Sequence, residues 1–286
     1  YNCLHQGNIK IIGLIRNEEK AKRIYGKWYN NYGIHLMIGD IEQIPVIAGD
    51  VDYIFHTVSI TASKMMVQHP VLTIQTSYMG TKNVLDLAVD KKIEGMVYVS
   101  SMEVYGIPDE KKEYITEKDL GYIELENVRS SYSEGKRICE CLCNAYTAEF
   151  GLPVKSARLA QFARSAMKKE NLVLRTDGSS EGNYCYTRDV IRALLLLGYS
   201  GKVGEAYNVV NEKSHMTIRE MAELVANDVS NGEIKVEFDI PDEAKSLGYA
   251  PKVKMHLSSE KLNKLGWKAE VDMKEAYLRM MNDMEA

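Results

Sequence analysis

The sequence predicts an α/β protein: a doubly wound parallel sheet with helices on both faces, joined to a smaller mixed α/β lobe. Three observations predict it. Short apolar runs of strand length alternate with longer helical patterns through the first half of the chain. One of these runs, Gly95 to Val99, passes straight into a serine turn, Ser100-Ser101, and the next helix opens on Ser131-Tyr132-Ser133-Glu134-Gly135-Lys136-Arg137. The second half has shorter strands and mixed spacing, as expected of a smaller lobe. At 286 residues and 45% hydrophobic content, the chain can bury one large core or two smaller ones.

In chain order, Ile9 to Ile15 reads as a buried parallel strand, and Arg16-Asn17-Glu18-Glu19 leads into a helix that runs to about Tyr29. Ile34 to Ile38 makes the next strand and ends in Gly39-Asp40-Ile41. Asp52 to Ser59 makes another, ending in the small residues Thr57, Val58 and Ser59. Pro70 to Lys91 is a long helix whose Val71, Ile74, Tyr78, Val84, Leu85, Leu87 and Ala88 form a packing face. After the Gly95 strand comes the Tyr132 helix. There Ser131 with Glu134 reads as a capping box, putting Tyr132 at the first helical position, while Gly151 and Pro153 end the helix. Val154 to Ala160 is a strand that runs almost directly into a helix around Ala163 to Met167. Leu172 to Leu174 leads on to Thr176-Asp177-Gly178, Ala206 to Asn211 is a strand that enters a loop, Thr217 with Glu220 caps a helix through Ala226, and Trp267 is expected to pack. Without linkers or repeats, the two lobes are expected to interleave.

Composition excludes several functions. A net charge of -4 gives no basic footprint for nucleic acid, and no apolar run approaches the roughly 18 residues of a membrane span. Of the five cysteines, Cys139 and Cys143 share a helix face while Cys141 points elsewhere, so no tetrahedral metal set forms; buried thiols in a reducing cytoplasm are expected.

The chemistry centres on Tyr132 and Lys136, one helical turn apart on one face. A free phenol has a pKa of about 10 and is a poor base at neutral pH, but a nearby cation favours the phenolate, and Lys136 is placed to supply it. Such a phenol can take a proton from a hydroxyl or return one to a carbonyl as a hydride moves to or from a nicotinamide. The same Tyr-x-x-x-Lys spacing occurs at Tyr78 with Lys82 and at Tyr114 with Lys118, so spacing alone does not select the site. The preceding strand and serine turn do.

Strand, serine turn and Tyr/Lys helix together resemble the extended short-chain dehydrogenase/reductase family, in its nucleotide-sugar epimerase, dehydratase and decarboxylase branch. The likeness spans nearly the whole chain, and Arg129-Ser130-Ser131-Tyr132 with Glu134-Gly135-Lys136-Arg137 resembles the decarboxylases most. It implies a Rossmann-like NAD(P)-binding domain over 1–161 and a mostly substrate-binding lobe over 162–286, with 184–210 returning to the first domain. It implies NAD or NADP as cofactor, a nucleotide-sugar substrate and a homodimer built on the helices around 70–91 and 131–150.

By the same resemblance, the catalytic residues are Ser101, which polarises the sugar oxygen, Tyr132, Lys136, which also holds the ribose, and Glu103. Arg16, Asp40, Ile41, Thr57, Val58 and Ser59 join Tyr132 and Lys136 around the cofactor. Arg16, standing where a 2′-phosphate would be met, leans toward NADP. Ser101, Met102, Glu103, Gln161 and Arg188 line the substrate, with Ser101 and Glu103 on one side of a locally extended segment and Met102 on the other. Met102 replaces the aspartate that dehydratases use as an acid, which leans the reaction toward decarboxylation or epimerisation; a ketosugar or carbonyl reductase is the alternative. Gly182 stands where the family has a diphosphate-binding arginine and Ser77 where it often has asparagine, and a non-catalytic cofactor-binding module is the reading from another class. In the family, the Ile9 strand is the second one. A first strand with its glycine-rich turn has no counterpart here, so the sequence is expected to begin after those residues, and a similar gap is expected at Gln161-Phe162, where the family has a longer loop.

Overall fold

The computed structural model describes residues 9–160, 171–240 and 253–285. The apolar runs become strands. β1 (Ile11–Ile15) pairs in parallel with β2 (Ile34–Ile38), Ile11 opposite Ile34. Between them lies α1 (Glu18–Tyr25), started by Asn17, whose side chain accepts from the Lys20 amide, and followed by a 3₁₀ turn, Gly26–Trp28.

A second sheet of four parallel strands is ordered β3 (Tyr53–His56), β4 (Gly95–Ser101), β5 (Val154–Leu159) and β8 (Ala206–Val209). The connections carry helices to both faces. α2 (Ser63–Gln68) and α3 (Pro70–Lys91) join β3 to β4, and α4 (Ser130–Phe150) joins β4 to β5. β6 (Leu172–Leu174), β7 (Glu181–Tyr184) and α5 (Thr187–Ser200) precede β8.

Alternation along β4 decides which helix meets which face. Met96 and Tyr98 join Val84, Leu85 and Ala88 of α3 and Cys139 and Cys143 of α4 in one core. Val97 points the other way, with Ala157 of β5, to meet Val190, Ala193 and Leu197 of α5. Cys139 and Cys143 are therefore core thiols and Cys141 is exposed, as the helical spacing predicts. Gly95 lets α5 come close, because a Cβ there would stand 2.8 Å from the Gly198 carbonyl oxygen.

The remaining elements form the mixed portion. β9 (Asn211–Thr217) pairs antiparallel with β7, and β10 (Val236–Phe238) pairs with β6. Thr217 and Glu220 form the expected reciprocal cap on α6 (Ile218–Leu224), which continues into a π turn through Val229. α7 (Glu260–Asn263) and α8 (Met273–Glu285) follow. Trp267 is buried, and its indole donates to the Asp189 carbonyl at 3.0 Å, while the Asp189 carboxylate accepts from the Glu270 and Val271 amides. This ties the C-terminal turn to the start of α5.

One sequence expectation fails here. Ser131 is not the N-cap of α4: the helix begins at Ser130 after Arg129, with no side-chain cap. Asn127 forms the preceding turn instead, its side chain accepting from the Arg129 amide at 2.9 Å and its carbonyl from the Ser130 amide at 2.9 Å. Glu134 turns to Arg137, at 3.3 Å, and does not reach back to the helix start.

Candidate active site

β4 ends at Ser101, whose hydroxyl caps a short 3₁₀ turn, Met102–Tyr105, by accepting from the Glu103 amide at 3.2 Å. The segment is thus a turn and not the extended stretch expected. Its apolar side chains, Met102, Val104 and Tyr105, pack down on Ile115, Val210, Met255 and Leu257, so the turn is seated on a core of its own. Met102 lies in that core, with its methyl 3.5 Å from where a Cβ on Gly182 would stand. Glu103 is left on the upper side. Gly106 ends the turn at φ +61, hard against the Tyr122 carbonyl, where no side chain fits.

Tyr132 comes in from the first turn of α4 and is 6% exposed. Burial holds its phenol above the ordinary value of 10. The Ser101 and Ser59 hydroxyls beside it work the other way, as does the Arg129 charge, while the Glu103 charge adds to burial. The Ser59 hydroxyl is buried and has no hydrogen-bond partner among the described residues.

Lys136 is 3% exposed, donates to the Val99 carbonyl at 2.8 Å and sits 5.9 Å from the Tyr132 ring centroid. Burial lowers its pKa to about 8, against the Cys139, Glu140 and Cys143 side chains. The ammonium is directed at β4, and desolvation dominates both groups.

Glu103 is fixed by two donors that the sequence did not single out. Arg129 Nη2 donates to Oε1 at 2.7 Å, and Ser133 Oγ donates to Oε2 at 3.2 Å. The Arg129 guanidinium also lies 5.6 Å from the Tyr132 ring centroid. Arg129 and Ser133 flank Tyr132 in the sequence, which was the available signal. Their common partner is 26 residues away from Arg129, beyond any local pattern.

The other expected site residues lie as follows. Arg16 and Asp40, at the ends of β1 and β2, form an exposed pair at 4.0 Å. Asp40 also accepts from the Glu42 amide at 2.9 Å. The Ile41 side chain belongs to the α3/α4 core and lies against Gly80, so only its main chain is available to a ligand. Thr57 and Val58 are exposed where the chain leaves β3. Arg188 is exposed in the first turn of α5, and Gln161 lies outside the described residues. His56 is a core residue, with its Nε2 3.0 Å from the Thr81 hydroxyl and its pKa pushed down by burial to about 3. Ser77 donates to its own helix at Thr73 and faces Gly135 of α4. Among the described residues, no group of three or more His, Cys, Asp or Glu could hold a metal, and no helix is long and apolar enough to cross a membrane.

Comparison with known proteins agrees with this fold. UDP-glucuronic acid decarboxylase 6 of Arabidopsis thaliana is 28% identical over 275 residues, covering 90% of this chain and 76% of the relative. UDP-glucuronic acid decarboxylase 1 of Xenopus tropicalis is 27% identical over 272 residues, covering 89% of this chain and 61% of the relative. The fold matches that of UDP-glucose 4-epimerase from Thermotoga maritima, solved with UDP-glucose, at a TM-score of 0.79 and 18% identity, over 99% of this chain and 93% of that one. It also matches dTDP-glucose 4,6-dehydratase from Streptomyces venezuelae, solved with NAD and DAU bound, at 0.76 and 19%, over 96% of this chain and 86% of that one. The family model for the NAD dependent epimerase/dehydratase family matches residues 2–163, more than half of the sequence. The chain belongs to the NAD dependent epimerase/dehydratase family.

Proposed function

We propose that the protein is an NAD(P)-dependent nucleotide-sugar enzyme that oxidises its sugar transiently and leans toward decarboxylation, with epimerisation as the neighbouring outcome. The observation that carries this reading is the grouping of Ser101, Tyr132 and a fixed Glu103 carboxylate around one space at the end of β4. The likeness to UDP-glucuronic acid decarboxylases supports it. In this reading residues up to 161 form most of the cofactor-binding domain and the later residues most of the substrate lobe, with 184–210 returning.

The residues fit a nicotinamide cofactor. Ser59 offers an unpartnered hydroxyl, Lys136 a buried ammonium, and Arg16 and Asp40 polar groups at two parallel strand ends. The cofactor supplies hydride acceptance and return. Ser101 orients the reacting sugar hydroxyl, and Tyr132 in its phenolate form, with the Lys136 ammonium as the nearby cation, takes its proton as the ring carbon is oxidised to a ketone. Where the sugar carries a carboxylate β to that ketone, the carbon–carbon bond breaks, carbon dioxide leaves and the electron pair stays on the ring as an enolate. A proton from water then restores the ring carbon. Glu103, as a carboxylate, only accepts hydrogen bonds, so its part is to hold the keto sugar or that water in line.

The exposed apolar residues Val71, Leu72 and Ile74 of α3 and Ile138 of α4 support a homodimer through these helices. The free thiols at Cys139, Cys141, Cys143 and Cys185 support the cytoplasm as its compartment. Incubation with a panel of nucleotide sugars and NAD or NADP, with analysis of products, tests the function. Formation of carbon dioxide and a pentose product from UDP-glucuronate is expected. Turnover of ketosugars or simple carbonyls alone would make the protein a reductase.

A further inference from the structure

Arg129 is poorly provided for as a structural residue. It is 6% exposed, yet among the described residues its guanidinium makes one side-chain hydrogen bond, from Nη2 to Glu103, and its Nε and Nη1 atoms are buried without partners. Burying an arginine removes strong hydration, and unmet N–H groups add to that penalty. An arrangement that gives up stability in this way needs another reason, and the geometry supplies one. Arg129 closes the turn before α4, the helix that carries Tyr132, Ser133 and Lys136. Glu103 belongs to the turn that follows Ser101. The contact therefore joins the two segments that contribute the reacting groups, and it holds the Glu103 carboxylate between Arg129 and Ser133.

We propose that Arg129 is a positioning residue that fixes the Glu103 carboxylate toward Ser101 and Tyr132, and that its main effect on the reaction runs through Glu103, beyond the direct effect of its charge on the Tyr132 phenol. This rests on the proposed function insofar as Glu103 serves the chemistry after oxidation.

The test is a double-mutant cycle with Arg129→Met, Glu103→Gln and the double variant, read as product release from UDP-glucuronate. Each single variant is expected to lose about 10²-fold. The double variant is expected to lose about as much as Glu103→Gln alone, whereas a loss near 10⁴-fold, the product of the two, overturns the proposal. Arg129→Gln takes the place of the methionine variant should that one not fold. A crystal structure of the Arg129 variant gives a reading free of turnover. Glu103 is expected to leave Ser133, and a Glu103 side chain still bonded there overturns the positioning role. A wild-type enzyme that turns over no nucleotide sugar defeats the proposed function, and the crystallographic arm then decides the role of Arg129.

Discussion

Two buried arginine–glutamate pairs stand on either side of α4, and they are built differently. Arg158 meets Glu140 through two bonds, Nε to Oε1 at 3.0 Å and Nη2 to Oε2 at 2.7 Å, and its Nη1 reaches the Tyr105 hydroxyl and the Glu117 carbonyl. Ser100 donates to the same carboxylate, and Tyr105 passes its proton on to Asn208 at 2.6 Å. Burial opposes the Arg158 charge, and Glu140 more than offsets it. Arg129 meets Glu103 through one bond and leaves two N–H groups unmet. The first pair has the satisfied network of a structural joint. The second has slack, and it lies beside Tyr132 and the turn that follows Ser101. Satisfaction of donors, more than burial, separates the two roles.

The comparison breaks most directly on stability. Arg158→Met leaves Glu140 buried and unpaired and should cost about 3–5 kcal/mol, whereas Arg129→Met should cost less than half of that. Chemical denaturation measures both, and equal losses would erase the distinction. Replacing Arg158 and Glu140 together by apolar residues should recover most of the loss.

Lys136 sharpens the contrast, because it is a buried cation with no carboxylate bound to it. Its folded pKa of about 8 lies below the ordinary 10.5, so between these values the unfolded chain holds the proton that the folded one has lost. Stability from this group is therefore withheld below pH 8 and regained as pH rises to 10.5, by roughly 3 kcal/mol at 1.36 kcal/mol per pH unit. The difference in unfolding free energy between wild type and Lys136→Met should rise over that range. Parallel pH curves would mean that Lys136 is not desolvated.

Tyr132→Phe should keep the fold and lower turnover by about 10²-fold or more, since it removes the positioned acid/base and no hydrogen bond of a structural network. Activity near wild type would place the chemistry elsewhere.

The smallest effect belongs to a third arginine–carboxylate pair, Arg16 with Asp40, which is exposed and 4.0 Å apart. A pair of this kind contributes about 0–1 kcal/mol, so Arg16 can leave Asp40 for a 2′-phosphate. NADPH should then bind about tenfold or more tightly than NADH, a preference that Arg16→Ala removes. Calorimetry that finds equal affinities, or tighter NADH, would leave Arg16 as a solvent-facing residue.

Much of the fold was legible because its signals are local. Pro70 at the first turn marked the start of α3, and Thr217 with Glu220 capped α6 as the spacing requires, although of the face expected on α3 the structure buries Val84, Leu85 and Ala88 and leaves Val71, Ile74 and Tyr78 exposed. The apolar run from Gly95 to Val99 was enough to assign strand β4, and a serine turn before a Tyr/Lys helix was enough to select the candidate site.

What local pattern could not decide lies where distant segments compete. Ser131 with Glu134 has the same spacing as Thr217 with Glu220, yet Asn127 starts α4 earlier and leaves the Ser131 hydroxyl buried without a partner. Spacing put Lys136 beside Tyr132, but packing turned its ammonium to Val99, and burial, a property of the assembled core, set both pKa values. Arg129 and Ser133 could be read only as neighbours of Tyr132, because both donate to a glutamate on the turn that follows β4. Sequence determined which residues reach the site; the tertiary structure decided how they pair, since charge and desolvation act through space and not along the chain.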